Sequence, residues 1–130
     1  MIAVIIDDEP RARNLLRLLL QKHCPQVREI HEAADLMEGI ACIRKQRPQL
    51  VFLDIEMPEH SGLELPDFLE PSEMTFSLIF TTAYDQYALQ AFELNAVDYL
   101  LKPLFPSQVQ RTVNRVQTQL HQQQLFEQLK

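Results

Sequence analysis

Five apolar stretches alternate with five stretches of helical periodicity, and this alternation constrains the fold more than any other feature of the chain. The predicted strands are, in chain order, IAVII, VREIHEA, LVFLD, SLIFTT and VDYLL. Strands that alternate with helices are typical of an α/β fold, because each helix returns the chain to the start of the next parallel strand. The length of 130 residues suits one such domain and is too short for two.

A single domain of this kind predicts a flavodoxin-like (βα)5 three-layer sandwich, with a five-stranded parallel sheet of order 2-1-3-4-5. LVFLD is apolar up to its final Asp54 and is expected to be buried on both faces, whereas the more polar VREIHEA is expected at an edge.

Proline marks the start of the first and last helices at Pro10 and Pro106, and Pro66 predicts a short or irregular third helix. Asp85 is predicted to cap the fourth helix, YALQAFELNA, and Asn95 to end it. The first helix is expected to turn four leucines inward: Leu15, Leu16, Leu19 and Leu20.

Charge and glycine content exclude several classes of ligand. The formal net charge of −6 argues against nucleic-acid binding by this chain, because phosphate contacts need a basic face. The basic residues Arg11, Arg13 and Arg17 are expected on a solvated face of the first helix. The only glycines, Gly39 and Gly62, cannot form a P-loop or a dinucleotide fingerprint, so a bound nucleotide is not expected.

The cysteines and histidines do not have the spacing of a metal site. Cys24 and Cys42 are 18 residues apart without a CxxC motif, which predicts two reduced, structural thiols. No chemistry is assigned to the scattered histidines His23, His31, His60 and His121. No apolar run is long enough for a membrane span or a signal peptide, so we expect a soluble, cytoplasmic protein.

Polar side chains follow four of the predicted strands at their carboxyl ends. They are Asp7, Asp8, Asp54, Thr81, Thr82 and Lys102. In a parallel sheet these ends share one rim, where ligands bind. Taken singly, each residue could be a helix cap, a partner for the backbone or an ordinary surface residue. Their occurrence at four strand ends predicts a functional site.

Adjacent carboxylates at this rim would be stable together if they held a hard cation, and Mg²⁺ suits a few carboxylates completed by water and phosphate oxygens. A carboxylate beside such a cation and a lysine can accept a phosphoryl group as an acyl phosphate, which makes Asp54 the candidate acceptor. Lys102 and the Thr82 hydroxyl would align and neutralise the moving group. Without a nucleotide-binding loop, the phosphate must arrive on a phosphorylated protein or a small acyl phosphate. The pattern indicates a signalling phosphoacceptor.

Four motifs, IIDDEP, LVFLDIEMPEHSGLEL, IFTTAY and AVDYLLKP, resemble in order and spacing the response-regulator receiver domains of two-component signalling. The resemblance covers residues 1–120 and leaves 121–130 as a C-terminal helical tail or the start of a linker to a missing effector domain. The stretches IIDDEPRAR and FTTAYDQYALQAFELNAVDYLLKP further resemble receivers of the LytR/AlgR class, whose partner is a LytTR-type DNA-binding domain.

The resemblance implies a metal site around the phosphoacceptor Asp54. Asp8 and Asp54 would be the carboxylate ligands of Mg²⁺, and Glu56 would bind it through its backbone carbonyl. Asp7 would be a second-sphere acid.

The resemblance also implies a switch, in which Thr82 and Lys102 bind the phosphoryl oxygens and the Tyr99 ring turns inward when Thr82 moves. A cis peptide would precede Pro103. The change would alter the surface formed by the fourth helix, the fifth strand and the fifth helix, through which a homodimer is expected. A sensor histidine kinase would be the phosphate donor, and DNA would be bound only through the missing C-terminal domain. The chain would act as a phosphoacceptor that assists its own phosphorylation and dephosphorylation, and not as an enzyme.

Two other functions remain as alternatives. A Mg²⁺-dependent aspartyl-phosphate hydrolase of the haloacid dehalogenase type would also use strand-end Asp, Thr and Lys. Those enzymes have a D-x-D motif at the nucleophile, whereas Asp54 here is followed by Ile55 and Glu56. They also carry their acidic pair late in the chain, whereas the acidic pair comes first here. An interaction module with a vestigial site is disfavoured by the intact set of Asp54, Thr82 and Lys102.

The last helix changes its apolar face near its end. Val109, Val113, Val116 and Leu120 form one stripe, with spacings of 4, 3 and 4. The stripe would continue onto Gln123 and Glu127, but the apolar residues there are instead Leu125, Phe126 and Leu129. The tail from about His121 is therefore expected to contact a second copy of the chain or a following domain, with a frayed, solvated terminus as the alternative.

Overall fold

The computed structural model describes residues 1–130. Its strands are β1 (Ile2–Ile6), β2 (Glu29–Ala33), β3 (Leu50–Leu53), β4 (Ser77–Thr82) and β5 (Asp98–Leu101). Its helices are α1 (Pro10–His23), α2 (Leu36–Gln46), α3 (Leu65–Phe68), α4 (Ala88–Glu93) and α5 (Pro106–Gln128). Single turns of 3₁₀ helix at Gly62–Glu64 and Pro71–Glu73 lie on either side of α3.

The five strands form one sheet of order β2-β1-β3-β4-β5, and every neighbouring pair is parallel. All four residues of β3 are buried, as the unbroken apolar run predicts, and the polar β2 is an edge strand. One apolar layer joins the sheet to α1 and α5. A second layer joins the opposite face to α2, α3 and α4. The predicted three-layer fold and strand order are confirmed.

Two local predictions about the helices are wrong. Leu15 is 43% exposed, because α1 directs Leu16 and Leu20 into the core and Leu15 lies to one side of that pair. Asp85 does not cap α4 with its side chain: the N-cap position is Tyr87, and the carbonyl of Asp85 accepts a hydrogen bond from the Ala88 amide. The chain therefore makes an extra turn before α4 begins.

Other helix boundaries follow the sequence signals. Pro66 lies inside α3, which is only four residues long. Asn95 has a φ of 60°, a left-handed conformation that asparagine tolerates, and it follows the end of α4.

The helix α5 buries Val109, Val113 and Val116 against the sheet and continues as a helix to Gln128. Leu125, Phe126 and Leu129 are exposed along or just beyond its last turns. The apolar stripe of α5 therefore ends before the helix does. None of the helices combines the length and the apolar character needed to cross a lipid bilayer.

Candidate functional site

The parallel sheet brings the predicted strand-end residues to one rim. Asp7 and Asp8 follow β1, Asp54 follows β3, Thr82 ends β4 and Lys102 follows β5. Asp7, Asp54 and Thr82 are buried, whereas Asp8 and Lys102 remain partly open to solvent. Groups far apart in sequence therefore meet because their strands are neighbours in the sheet.

Three carboxylates and one ammonium group form the centre of the site. One oxygen each of Asp7, Asp8 and Asp54 lies within 4.8 Å of the other two. The Lys102 ammonium lies 2.7 Å from Asp7 Oδ2 and 3.4 Å from Asp54 Oδ2, so it contributes positive charge between the two buried acids. This contact offsets part of the repulsion between neighbouring carboxylates.

Backbone contacts fix the position of Asp54. Its amide donates to the carbonyl of Ile6 at 2.9 Å, and its Oδ1 accepts from the amide of Ile55 at 2.8 Å. Gly62 packs so closely that an added Cβ would lie 2.2 Å from the Asp54 carbonyl oxygen. The Gly62 amide also donates to the Ile55 carbonyl at 2.8 Å. The loop that follows β3 therefore folds back against Asp54, and a side chain at position 62 would displace it.

The pKa values in the site reflect burial as well as charge. Burial raises the pKa of the Asp54 carboxyl to about 6, although the positive charge of Lys102 opposes the shift. Burial alone would lower the pKa of Lys102, but its hydrogen bond to Asp7 and the charge of Asp54 outweigh burial and raise it. At neutral pH the Asp54 carboxyl is therefore mostly ionised, and the Lys102 amine is charged.

We expect the ionisation of Asp54 to lower the stability of the fold as the pH rises, in buffer without divalent cations. The pKa of about 6 lies above the ordinary value of 3.8, so the folded chain holds this proton over a range in which the unfolded chain has lost it. The stabilisation of the fold by the protonated Asp54 carboxyl is fully present below about pH 4. It is lost as the pH rises through about 6, and the free energy of unfolding falls by roughly 3 kcal/mol. Urea denaturation with a chelator at several pH values should show a steeper decline for the parent chain than for Asp54→Asn. Identical pH profiles for the two proteins would contradict the shift.

The Tyr84 backbone connects Thr82 to Tyr99. The Tyr84 amide donates to Thr82 Oγ1 at 3.4 Å, and the Tyr84 carbonyl accepts a hydrogen bond from the Tyr99 hydroxyl. Tyr99 itself is partly buried on β5, and burial raises the pKa of its hydroxyl. Both residues of the predicted switch therefore contact the backbone of Tyr84, which lies between β4 and α4.

The remaining predicted residues lie around this centre. The Glu56 carboxylate accepts a hydrogen bond from the Tyr87 hydroxyl, which ties the loop after β3 to the loop before α4. This hydrogen bond raises the pKa of the Tyr87 hydroxyl. The peptide bond before Pro103 is cis. Thr81 is buried and lines a small cavity together with Asp7 and Lys102.

Sequence reasoning missed the roles of Arg13, Tyr84 and Tyr87 at the site. Arg13 and Arg17 do not form a solvated face, because both contact Glu32 on β2, and Arg13 also donates to the Asp7 carbonyl. Arg11 alone is exposed as expected. A positive residue after a run of three acids is a signal that could have indicated Arg13, but its contacts depend on β2 lying beside β1.

Comparison with known proteins gives a consistent result. Residues 3–114 match the family model described as response regulator receiver domain. The chain is 45% identical over 127 residues to an uncharacterized response regulatory protein of Vibrio parahaemolyticus, an alignment covering 98% of this chain and 52% of that protein. It is 41% identical over 120 residues to the transcriptional regulatory protein BtsR of Escherichia coli, covering 92% of this chain and 49% of BtsR. The chain thus spans about half the length of these curated relatives.

One solved structure is similar to the chain in both fold and sequence. It is the response regulator protein TrrA of Thermotoga maritima in complex with Mg²⁺ and BeF. It is similar with a TM-score of 0.77 and 30% sequence identity, over 88% of this chain and 97% of that chain.

Proposed function

The chain belongs to the response regulator receiver domains of two-component signalling, and from this premise we propose that Asp54 accepts a phosphoryl group from a sensor histidine kinase with the help of Mg²⁺. Receiver domains are signalling phosphoacceptors and not classical enzymes. The observation that carries the proposal is the buried Asp54 carboxylate at the rim of the sheet, with the Lys102 ammonium 3.4 Å away and Asp8 beside it.

The donor atoms at the rim fit Mg²⁺. This ion prefers oxygen ligands at about 2.1 Å, so two ligand oxygens on one ion lie about 3 to 4 Å apart. The cluster of Asp7, Asp8 and Asp54 offers carboxylate oxygens within 4.8 Å of one another, which is close to that spacing. Asp8 and Asp54 would hold the ion through their carboxylates and Glu56 through its backbone carbonyl, with Asp7 in the second sphere. The bound ion would neutralise charge on the oxygens of the transferred group.

The side chains divide the remaining work of transfer among them. An ionised Asp54 oxygen forms the new bond to phosphorus, while the bond from phosphorus to the donor atom breaks. Lys102 would bind one phosphoryl oxygen, and the Thr82 hydroxyl would donate to another. The pKa of about 6 keeps most Asp54 carboxyls ionised at neutral pH. The same groups would assist hydrolysis of the acyl phosphate, because they stabilise the same transferring phosphoryl group.

Mass spectrometry tests the proposal directly. The chain is incubated with a small acyl phosphate, once with Mg²⁺ and once with a chelator, and the mass of the intact protein is measured. We expect one added phosphoryl group, located on Asp54, in the presence of Mg²⁺ only. Equal labelling with the chelator, or labelling confined to another residue, would overturn the proposal.

The proposed switch runs from Thr82 through Tyr84 to Tyr99. If the Thr82 hydroxyl turned to the phosphoryl group, the Tyr84 amide would lose its acceptor and the Tyr99 hydroxyl could be released from the Tyr84 carbonyl. The change would reach the surface of α4, β5 and α5, which would form a homodimer. Leu89 and Phe92 on that surface are 69% and 77% exposed, which supports a role in association.

We expect Thr82→Ala to accept phosphate on Asp54 but to lose most of any phosphorylation-dependent association. The substitution removes the hydroxyl that would bind the phosphoryl group and move toward it, while the nucleophile Asp54 and Lys102 remain in place. Sedimentation velocity of the phosphorylated parent and variant compares the two. Equal association at equal labelling would show that Thr82 is not part of the switch.

We propose that residues 1–120 form the receiver and that residues 121–130 lead to an effector domain, of the LytTR DNA-binding type. Support comes from the half-length match to the curated relatives, one of which is named a transcriptional regulatory protein. The exposed Leu125, Phe126 and Leu129 would then contact that domain or a second copy of the chain.

We expect residues 1–130 alone to leave DNA unshifted in a gel even at low salt, because the chain has a net charge of −6. A longer protein that continues into an effector should shift DNA in a phosphorylation-dependent way. DNA binding by the 130-residue chain would contradict the proposal that DNA is bound only through the effector domain.

A further inference from the structure

Arg13 of α1 connects the acidic rim to the edge strand β2. One of its terminal nitrogens, Nη1, donates to the Asp7 carbonyl at 2.6 Å, and its Nε lies 3.3 Å from Glu32 Oε1 on β2. The Arg13 side chain is only 18% exposed. We infer that Arg13 is a positioning residue for the cation site, an inference that rests on the proposed binding of Mg²⁺ by Asp8 and Asp54.

The backbone of Asp7 is held on both sides. Its amide donates to the carbonyl of Ala33, the last residue of β2, at 3.1 Å. Its carbonyl accepts from Arg13 at 2.6 Å. That carbonyl belongs to the peptide unit joining Asp7 to Asp8, so the Arg13 contact also sets the direction in which the chain enters Asp8. The Asp8 side chain would be a metal ligand, and its orientation toward the cation site depends on this peptide unit.

Glu32 in turn holds the Arg13 guanidinium. Its second oxygen, Oε2, lies 2.5 Å from Arg17 Nε, and Arg17 Nη2 donates to the Ile30 carbonyl of β2 at 3.0 Å. Glu32 therefore lies between two arginines of α1, one turn apart. Only Arg13 reaches the rim, because the other contact of Arg17 lies within β2.

The charge of Arg13 and its hydrogen bond to the Asp7 carbonyl predict opposite effects on Mg²⁺ binding when the side chain is removed. A positive side chain beside a carboxylate cluster repels Mg²⁺, so a residue that contributed only its charge would weaken binding, and its loss would strengthen it. A residue that fixes the Asp7–Asp8 peptide would strengthen binding, and its loss would weaken it. Groups that orient metal ligands commonly change metal affinity by about tenfold or more when they are removed. The geometry favours the positional effect.

The test is calorimetric titration of the full chain with MgCl₂ well below its melting temperature, for the parent, Arg13→Met and Arg17→Met. Arg17→Met is the matched control, because it removes the same charge from the same Glu32 carboxylate without touching Asp7. We expect Arg13→Met to raise the Kd for Mg²⁺ about tenfold and Arg17→Met to change it less than about twofold. Arg13→Lys, which keeps the charge and one donor, should recover part of the loss.

Each outcome has a defined meaning. Unchanged or tighter binding by Arg13→Met overturns the positioning role, while binding by the parent leaves the proposed function standing. Equal weakening by both arginine variants also overturns the role, because it would indicate a general effect of losing the contacts of Glu32. Absence of Mg²⁺ binding by the parent chain overturns both the inference and the metal site of the proposed function. If Arg13→Met does not fold, Arg13→Gln is titrated in its place under the same criteria.

Discussion

Asp54→Asn is expected to reduce phosphoryl transfer to background while leaving the fold intact. Asparagine has nearly the same shape as aspartate, and its amide oxygen can still accept the hydrogen bond from the Ile55 amide. It lacks the anionic oxygen that would attack phosphorus, so no acyl phosphate can form. Intact-protein mass spectrometry after incubation with a small acyl phosphate and Mg²⁺ measures the loss.

The matched control is Asp67→Asn in α3, which removes the charge of an exposed aspartate that is not part of the carboxylate cluster. We expect it to be labelled as the parent is. Labelling of Asp54→Asn to the extent of the parent, at any residue, would show that the buried carboxylate after β3 is not the acceptor.

Lys102→Met is expected to lower the free energy of unfolding by about 3 kcal/mol near pH 7.5, in buffer without divalent cations. The substitution leaves the buried carboxylates of Asp7 and Asp54 without the ammonium that lies 2.7 Å and 3.4 Å from them. Removing one partner of a buried charge pair is costly because the remaining charge stays desolvated. The loss should shrink in acid, where Asp54 is protonated in the folded chain because its pKa is raised to about 6. Urea denaturation at neutral and acid pH measures both effects.

A double-mutant cycle separates this charge effect from a packing effect of the lysine stem. In the Asp54→Asn background, Lys102→Met should cost less than in the parent, because one of the two unpaired carboxylates is already neutral. If the cost is the same in both backgrounds, the Lys102 ammonium does not interact with Asp54 in solution.

The sheet could be predicted because its signals are local and strong. The unbroken run LVFLD identifies a central strand, and the polar composition of β2 identifies an edge. The parallel arrangement then places Asp7, Asp54 and Lys102 at one rim without any knowledge of their contacts. The order of parallel strands predicts which residues meet, but it does not predict which atoms are in contact.

The wrong predictions came from signals that several structures satisfy. The helix α1 has leucines on more than one side, so periodicity alone could not show that Leu15 stays 43% exposed. Aspartate favours both helix caps and turns, and the segment after Asp85 forms a further turn before α4 begins. The Arg13 contact with Asp7 and the Tyr99 contact with Tyr84 join separate elements, so they depend on the tertiary structure.

The position of β5 at the edge of the sheet links local opening of the fold to the charges of the site. β5 pairs with β4 alone, and the amide of Lys102, just beyond it, donates to the Thr82 carbonyl at 2.8 Å. Subglobal unfolding that detached β5 and α5 would carry the Lys102 ammonium away from the acids and leave the rest of the sheet paired. Attraction between that ammonium and the acids therefore resists detachment of the last strand. We therefore expect amide hydrogen exchange in β5 to depend on the contacts of Lys102 with Asp7 and Asp54, which follow β1 and β3, as well as on the packing of the strand itself.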